Sequence, residues 1–125
     1  MTRALITVRD DETVEQAMHV MTDNNVSSVV VEPDQNGEWG ILTRRDIVAK
    51  IVHGRGKNPA TTKVKEVASR PVVSVPAEMS IREAAGKISE SNYSRFTVAQ
   101  GKDVIGIVTE TDIFNAVEKY GWMVE

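Results

Sequence analysis

The chain is one pattern written twice. A shift of 67 residues lays Val8 on Val75, Thr13 on Ser80, Val14 on Ile81, Ala17 on Ala84, Asn25 on Asn92, Ser27 on Ser94 and Val31 on Val98. One residue of length is then lost between Glu32 and Trp39, and the shift becomes 66. After it, Gly40-Ile-Leu-Thr-Arg-Arg-Asp-Ile47 falls on Gly106-Ile-Val-Thr-Glu-Thr-Asp-Ile113, with five of the eight positions identical. The length change sits in a stretch of turn residues, where insertions cost least. A 125-residue chain divided in this way has to build one small unit twice.

Each repeat reads as strand, helix, strand, strand, helix. In the first, Leu5 to Val8 is a short apolar run. Thr13-Val-Glu-Gln16 has the form of a capping box, with Thr13 as N-cap and Gln16 reaching back. Val14, Ala17, Met18 and Met21 follow at helical spacing and predict one buried stripe. Asn24-Asn25 end that helix, and β-branched Val26 to Val31 predicts a strand. Pro33-Asp-Gln-Asn-Gly37 is turn chemistry. Trp39 to Leu42 is the return strand, and a second helix begins near Thr43 with Ile47, Val48 and Ile51 on its buried face. In the second repeat, Ser80-Ile-Arg-Glu83 is again a capping box ahead of an Ile81, Ala84, Ala85, Ile88 stripe. Ser94 to Ala99 and Val104 to Val108 pair around Gln100-Gly-Lys-Asp103. The last helix runs from about Thr109 towards Tyr120, with Gly121 as its stop.

These patterns divide the chain into a first repeat, 1–54, a linker, 55–63, and a second repeat, 64–125. Gly54-Arg-Gly-Lys57, followed by Asn58-Pro59, lacks the spacing of a phosphate-binding P-loop and reads as linker. Lys63 to Ala68 reads as a short helical lead-in to the second repeat. Met1 aligns with Ala68, so the first repeat has no such lead-in. Either the chain starts late by nature, or it was cut from a longer protein.

Composition narrows the function. With no cysteine there is no disulfide framework, thiolate nucleophile or cysteine zinc site. His19 and His53 lie in different helices without carboxylate-rich spacing, which points to surface roles. A net charge of -3 and 5% aromatic residues argue against nucleic-acid binding. There is neither a signal peptide nor an apolar run long enough for a membrane span, so the expected setting is cytoplasmic. No triad order and no paired carboxylates suggest catalysis, and the two repeats consume the chain, so the expectation is a non-enzyme with no catalytic cofactor.

Two tandem units, each ending in Gly-hydrophobic-hydrophobic-Thr-x-x-Asp ahead of a helix, resemble a cystathionine-β-synthase (CBS) domain pair, also called a Bateman module. The resemblance covers essentially the whole chain and rests most on Gly40 to Asp46 and Gly106 to Asp112. It implies an α+β fold of two pseudo-symmetric βαββα repeats packed through their sheets, with the helices outside. It also implies a regulatory ligand-sensing module that binds adenosine nucleotides (AMP, ADP or ATP, with S-adenosylmethionine as another possibility) in clefts between the repeats. Such a module signals by conformational change to a protein partner or fused domain, and family members commonly form homodimers through their helices. The competing reading is a structural or dimerisation module that binds no nucleotide.

The chemistry of Thr-x-x-Asp suits this role. A carboxylate accepts two hydrogen bonds from cis ribose hydroxyls, and a helix N-terminus favours a phosphate. The same four residues also form a near capping box that needs no ligand. Following the family's cross-pairing, one cleft combines Thr43 and Asp46 with Ser74, Tyr93, Ser94 and Arg95. There Tyr93 either faces adenine or covers the core, and Arg95 either forks a phosphate or faces solvent. The other cleft combines Thr109 and Asp112 with Thr7, Val26, Ser27 and Ser28. It lacks an aromatic residue and an arginine, and Glu110 adds negative charge. The first cleft is therefore expected to hold the phosphorylated ligand. The family often places Pro before the Val of the middle strand; here Val30 and Thr97 stand at those positions. Trp122 and Met123 either cap an interface or fray.

Overall fold

The computed structural model describes residues 5–53, 57–70, 72–91 and 95–122. They form two compact units, one spanning Ile6–Val72 and the other containing Val73–Glu125. Each is a three-stranded sheet carrying two helices, so the fold is mixed α and β.

In the first unit the order is β1 (Thr7–Val8), α1 (Val14–Asp23), β2 (Ser28–Val31), β3 (Gly40–Thr43) and α2 (Arg44–Ile47). The helical path continues from α2 as wider π turns over Val48–His53. Strand β2 lies centrally, parallel to β1 and antiparallel to β3. The Thr13 capping box forms as its sequence dictates: Thr13 Oγ1 accepts from the Gln16 N–H at 3.1 Å, and the Gln16 side chain accepts from the Thr13 N–H at 2.8 Å. Val14, Ala17 and Met21 are buried, but Met18 is exposed. Val48, expected inside, is also exposed, and only Ile47 and Ile51 reach the core. In both cases the apolar face is narrower than the run of apolar letters. The β2–β3 turn is closed by Asp34, whose Oδ1 accepts from the Asn36 and Glu38 N–H groups at 2.9 and 3.0 Å. Gly37 takes φ 78° there, a left-handed conformation that glycine adopts at no steric cost.

The second unit repeats the plan with β4 (Ser74–Pro76), α3 (Ile81–Glu90), β5 (Arg95–Gln100), β6 (Asp103–Thr109) and α4 (Glu110–Tyr120). The register repeats too: Thr7 pairs with Val30 as Ser74 pairs with Thr97, and Ser28 pairs with Thr43 as Arg95 pairs with Thr109. Where the family often has Pro, Thr97 is buried and its hydroxyl is satisfied by Ser74 Oγ and the Val73 carbonyl. Gly121 ends α4 at φ 93°.

The cores of the two units differ. Val8, Val29, Val31 and Leu42 of the first sheet pack with Val14, Ala17, Met21, Ile47 and Ile51 of its helices. Val64 and Val67 complete this cluster. They come from a 3₁₀ turn, Val64–Glu66, and its C-cap. Residues 64–70, which belong to the second repeat by sequence register, thus pack with the first. The segment before them is also tied down. The Val14 N–H donates to the Thr62 carbonyl at 2.8 Å and the Glu15 N–H to the Pro59 carbonyl at 3.0 Å. In the second unit the buried cluster is Val75, Phe96, Val98 and Val108. Only Ala84 of α3 is buried, and no residue of α4.

Candidate functional site

The two Thr-x-x-Asp segments occupy equivalent places, at the end of the last strand and the first turn of the following helix. Thr43 has extended backbone as the N-cap of α2. Its hydroxyl accepts from the Asp46 N–H at 3.0 Å, and Asp46 Oδ2 accepts from the Thr43 N–H at 3.2 Å. In the second unit the Asp112 N–H donates to Thr109 Oγ1 at 3.2 Å, and Asp112 Oδ2 accepts from the Thr109 N–H at 2.9 Å and from its hydroxyl at 3.1 Å. All four residues are half-buried. Each site therefore offers a partly desolvated carboxylate and a hydroxyl at a helix start. The cap fixes both side chains locally: the threonine hydroxyl accepts from an N–H that the first helical turn leaves without a partner, and the aspartate accepts from the N–H of the N-cap threonine.

The register brings further predicted residues to these ends. Ser28 lies opposite Thr43, and the Ser27 carbonyl accepts from the Arg44 N–H at 2.9 Å. Arg44 and Arg45 are exposed. Arg95, half-buried, lies opposite Thr109. Ser74 has an exposed residue surface, but its hydroxyl is engaged with Thr97. Thr7, one strand further from Thr43, donates to Glu32 Oε2 at 3.2 Å, and Val26 is half-buried ahead of β2. Tyr93 and Ser94 lie outside the described residues, as does Met123; Trp122 is 77% exposed.

Sequence reasoning missed Arg70. Its guanidinium donates to the Glu38 carbonyl at 2.7 Å and to the Glu32 carbonyl at 3.0 Å, and it lies 3.5 Å from Asp10 and 3.8 Å from Asp34. It packs so closely on Gly40 that a Cβ there would meet it at 2.8 Å. The first glycine of the Gly-Ile-Leu-Thr segment thus leaves room for the arginine that clamps the β2–β3 hairpin. The Glu38 amide, helped by the Asn36 amide and Arg70, holds the Asp34 carboxyl below its ordinary 3.8. No pattern in the sequence signalled this clamp, because its partners are distant in the chain and its two shortest hydrogen bonds go to backbone carbonyls.

Among the described residues no group of acidic or histidine side chains is arranged to hold a metal, and no helix is long and apolar enough to cross a membrane.

Two duplicated βαββα units, each with a capped Thr-x-x-Asp turn at the start of its last helix, define a tandem-repeat architecture. The CBS domain model matches the chain twice, over residues 1–53 and 64–119. The chain belongs to the CBS-domain family, as a tandem CBS pair. It is 34% identical over 120 residues to an uncharacterised protein of Methanopyrus kandleri, covering 94% of this chain and 60% of that one. It is 31% identical to hypoxic response protein 1 of Mycobacterium tuberculosis, covering 90% of this chain and 78% of that one. Among solved structures, the hexameric CBS-CP12 protein from bloom-forming cyanobacteria matches with a TM-score of 0.82 at 31% identity, over 98% of this chain and 73% of that one. Hypoxic Response Protein I with two coordinated zinc ions matches with a TM-score of 0.76 at 29% identity, over 92% of each chain. The chain spans 60% and 33% of the length of two archaeal relatives. CBS pairs of this kind are generally regulatory rather than catalytic.

Proposed function

We propose that this CBS pair is a cytoplasmic regulatory module that binds an adenosine nucleotide (AMP, ADP or ATP) and transmits its occupancy to a partner protein or fused domain, without catalysis of its own. The observation that carries this reading is the twin geometry of Thr43/Asp46 and Thr109/Asp112: a half-buried carboxylate beside a hydroxyl, each at a helix start. Asp46 and Asp112 take the ribose hydroxyls, and Thr43 and Thr109 lie towards ribose or phosphate. Ser74, Tyr93, Ser94 and Arg95, and Thr7, Val26 and Ser27, are the further contact residues. Ligand binding exchanges a cap hydrogen bond for bonds to the ribose. That exchange makes the first helical turn the natural place for a response, because a ligand shifts a conformational equilibrium only by its difference in affinity for the two states.

Self-association goes with this reading. Phe114, Val117, Tyr120 and Trp122 are exposed at the C-terminal end of the second unit, and Val48 and Val52 at the matching helix of the first. A helical homodimer interface would cover them.

The test is a thermal-shift series with AMP, ADP, ATP, S-adenosylmethionine and NAD on wild type, Asp46→Ala and Asp112→Ala. Each ligand-induced shift is taken against the same variant without ligand, since loss of the cap alone lowers the midpoint. At 100 times its dissociation constant a ligand adds about 2.7 kcal/mol, which at this size is roughly 10 °C. A nucleotide-dependent rise abolished by one aspartate substitution supports the proposal. The competing reading, a structural module with unoccupied clefts, is favoured by the closed capping boxes. It requires that no ligand move the midpoint of any of the three proteins.

A further inference from the structure

The β2–β3 turn carries Asn36-Gly37, and Asn36 is the one asparagine of the chain that a glycine follows. The others precede Asn25, Val26, Pro59, Tyr93 and Ala116. The distinction is chemical, because the backbone nitrogen after an asparagine is able to attack that residue's own side-chain amide. The attack needs an uncrowded nitrogen on an adaptable backbone, and glycine supplies both because it has no Cβ. Pro59 lacks the N–H that the attack consumes, and the remaining followers carry a Cβ beside the nitrogen. Asn36 and Gly37 are both exposed, so water and base reach them.

The folded turn holds this chemistry back. The Gly37 N–H donates to the Asp34 carbonyl at 2.9 Å, so the nucleophilic nitrogen is already engaged. The Asn36 N–H donates to Asp34 Oδ1 at 2.9 Å, which fixes the asparagine backbone. The Glu38 N–H donates to the same oxygen at 3.0 Å, and the Asp34 N–H donates to the Glu38 carbonyl at 3.1 Å. Arg70 braces the loop from outside, through the Glu38 and Glu32 carbonyls and the Asp34 carboxylate. These contacts have to loosen before the Gly37 nitrogen turns to the Asn36 side chain, and such loosening is a local opening rather than global unfolding.

We propose that Asn36 is a self-modification site, deamidated through a cyclic imide at a rate set by the Asp34–Arg70 clamp. The Gly37 nitrogen gives its proton to solvent base and forms a bond to Asn36 Cγ. The Cγ–Nδ2 bond breaks and ammonia leaves. One water then opens the imide at either carbonyl, which leaves an aspartate or an isoaspartate at that position; nothing is oxidised or reduced. Either product adds a carboxylate to a turn that already holds Asp34 and Glu38, and isoaspartate also lengthens the main chain by one carbon. The bonds to Asp34 then lose their register, and Arg70 loses part of its hold on the hairpin. None of these residues belongs to the candidate ligand site.

Wild type, Asp34→Ala, Arg70→Ala and Thr109→Ala are incubated at mildly alkaline pH, both folded and in guanidinium. Conversion is read from the mass gain of amide-to-acid exchange in the peptide that contains position 36, and isoaspartate by enzymatic methylation. Circular dichroism checks that each variant is folded, and either clamp variant carries the test if the other is not. Conversion should be rapid in guanidinium and at least about tenfold slower in folded wild type. Each folded clamp variant should convert about tenfold faster than wild type, as loss of one charge-assisted hydrogen bond implies. Thr109→Ala removes a cap in the other unit and should leave the folded rate unchanged, and Asn36→Gln should abolish the conversion. Equal rates in the folded and unfolded chains, or in wild type and the folded clamp variants, overturn the proposal. So does an absence of conversion at position 36 in guanidinium.

Discussion

Val67 is the residue at which the packing boundary of the first unit is most directly tested. It is fully buried with Val64 against the helices and sheet of that unit, although its sequence register assigns it to the second repeat. Val67→Ala removes two buried carbon groups, worth about 0.8 kcal/mol each. The neighbours include a sheet and two helices that cannot close in freely, so a residual cavity adds about 1 kcal/mol. The expected loss is about 2.5 kcal/mol, or roughly 10 °C in thermal midpoint for a chain of this size. Val64→Ala should behave alike, whereas exposed Lys65→Ala should stay within about 0.5 kcal/mol of wild type. Urea denaturation measures all three, with the m-value held constant as the check that only the native state has changed. A loss below about 0.5 kcal/mol for both valines would refute the reasoning, since it would mean that the turn lies on the first unit without sealing it.

Three further outcomes follow from the geometry. Thr43→Ala and Thr109→Ala each remove an N-cap and should each cost about 1 kcal/mol in a denaturant series. Gly40→Ala forces a methyl group against Arg70 and the Ser69 carbonyl, at 2.8 and 3.1 Å. It should cost about 1–3 kcal/mol, and in a double-mutant cycle the loss in the double variant with Arg70→Ala should be less than the sum of the two single losses. Asp34 is held below its ordinary 3.8 by amide donors and Arg70. Its folded-state pKa is depressed, so its stabilisation is fully present above the unfolded value and is lost as pH falls through the lower folded one. Asp34→Asn should therefore flatten the fall in urea midpoint between neutral pH and pH ~3, and an unchanged acid limb would contradict this.

The repeat made much of the fold legible. Capping boxes at Thr13, Ser80, Thr43 and Thr109 depend on residues three apart, and local chemistry of that kind survives without tertiary information. The stripes were legible only in part. Ala17 and Met21 are buried, but apolar spacing alone does not say how wide a strip its neighbours cover, which is why Met18 and Val48 face outward. The Thr-x-x-Asp site was legible as a motif, and its hydrogen bonds are those a capping box demands. What escaped was non-local. Arg70 reaches back across more than thirty residues to backbone carbonyls, and carbonyls carry no side-chain signature. The allegiance of Val64 and Val67 escaped for the same reason: their turn reads identically whichever unit it packs against.

The bridge between Ile41 and Ser69 has a mechanical consequence. Ile41 and Ser69 exchange both backbone hydrogen bonds, at 3.0 and 2.9 Å. Ile41 lies two residues before Thr43 on the same short strand, and Ser69 lies at the end of the segment leading out of the first unit. A displacement that carries Thr43 along its strand has to drag this exit segment or break two bonds, each worth about 1 kcal/mol. Arg70, pinned to the adjoining hairpin, stiffens the same joint. The strand that delivers the candidate ligand residue and the covalent exit from the unit therefore behave as one rod, and a shift at either end is felt at the other.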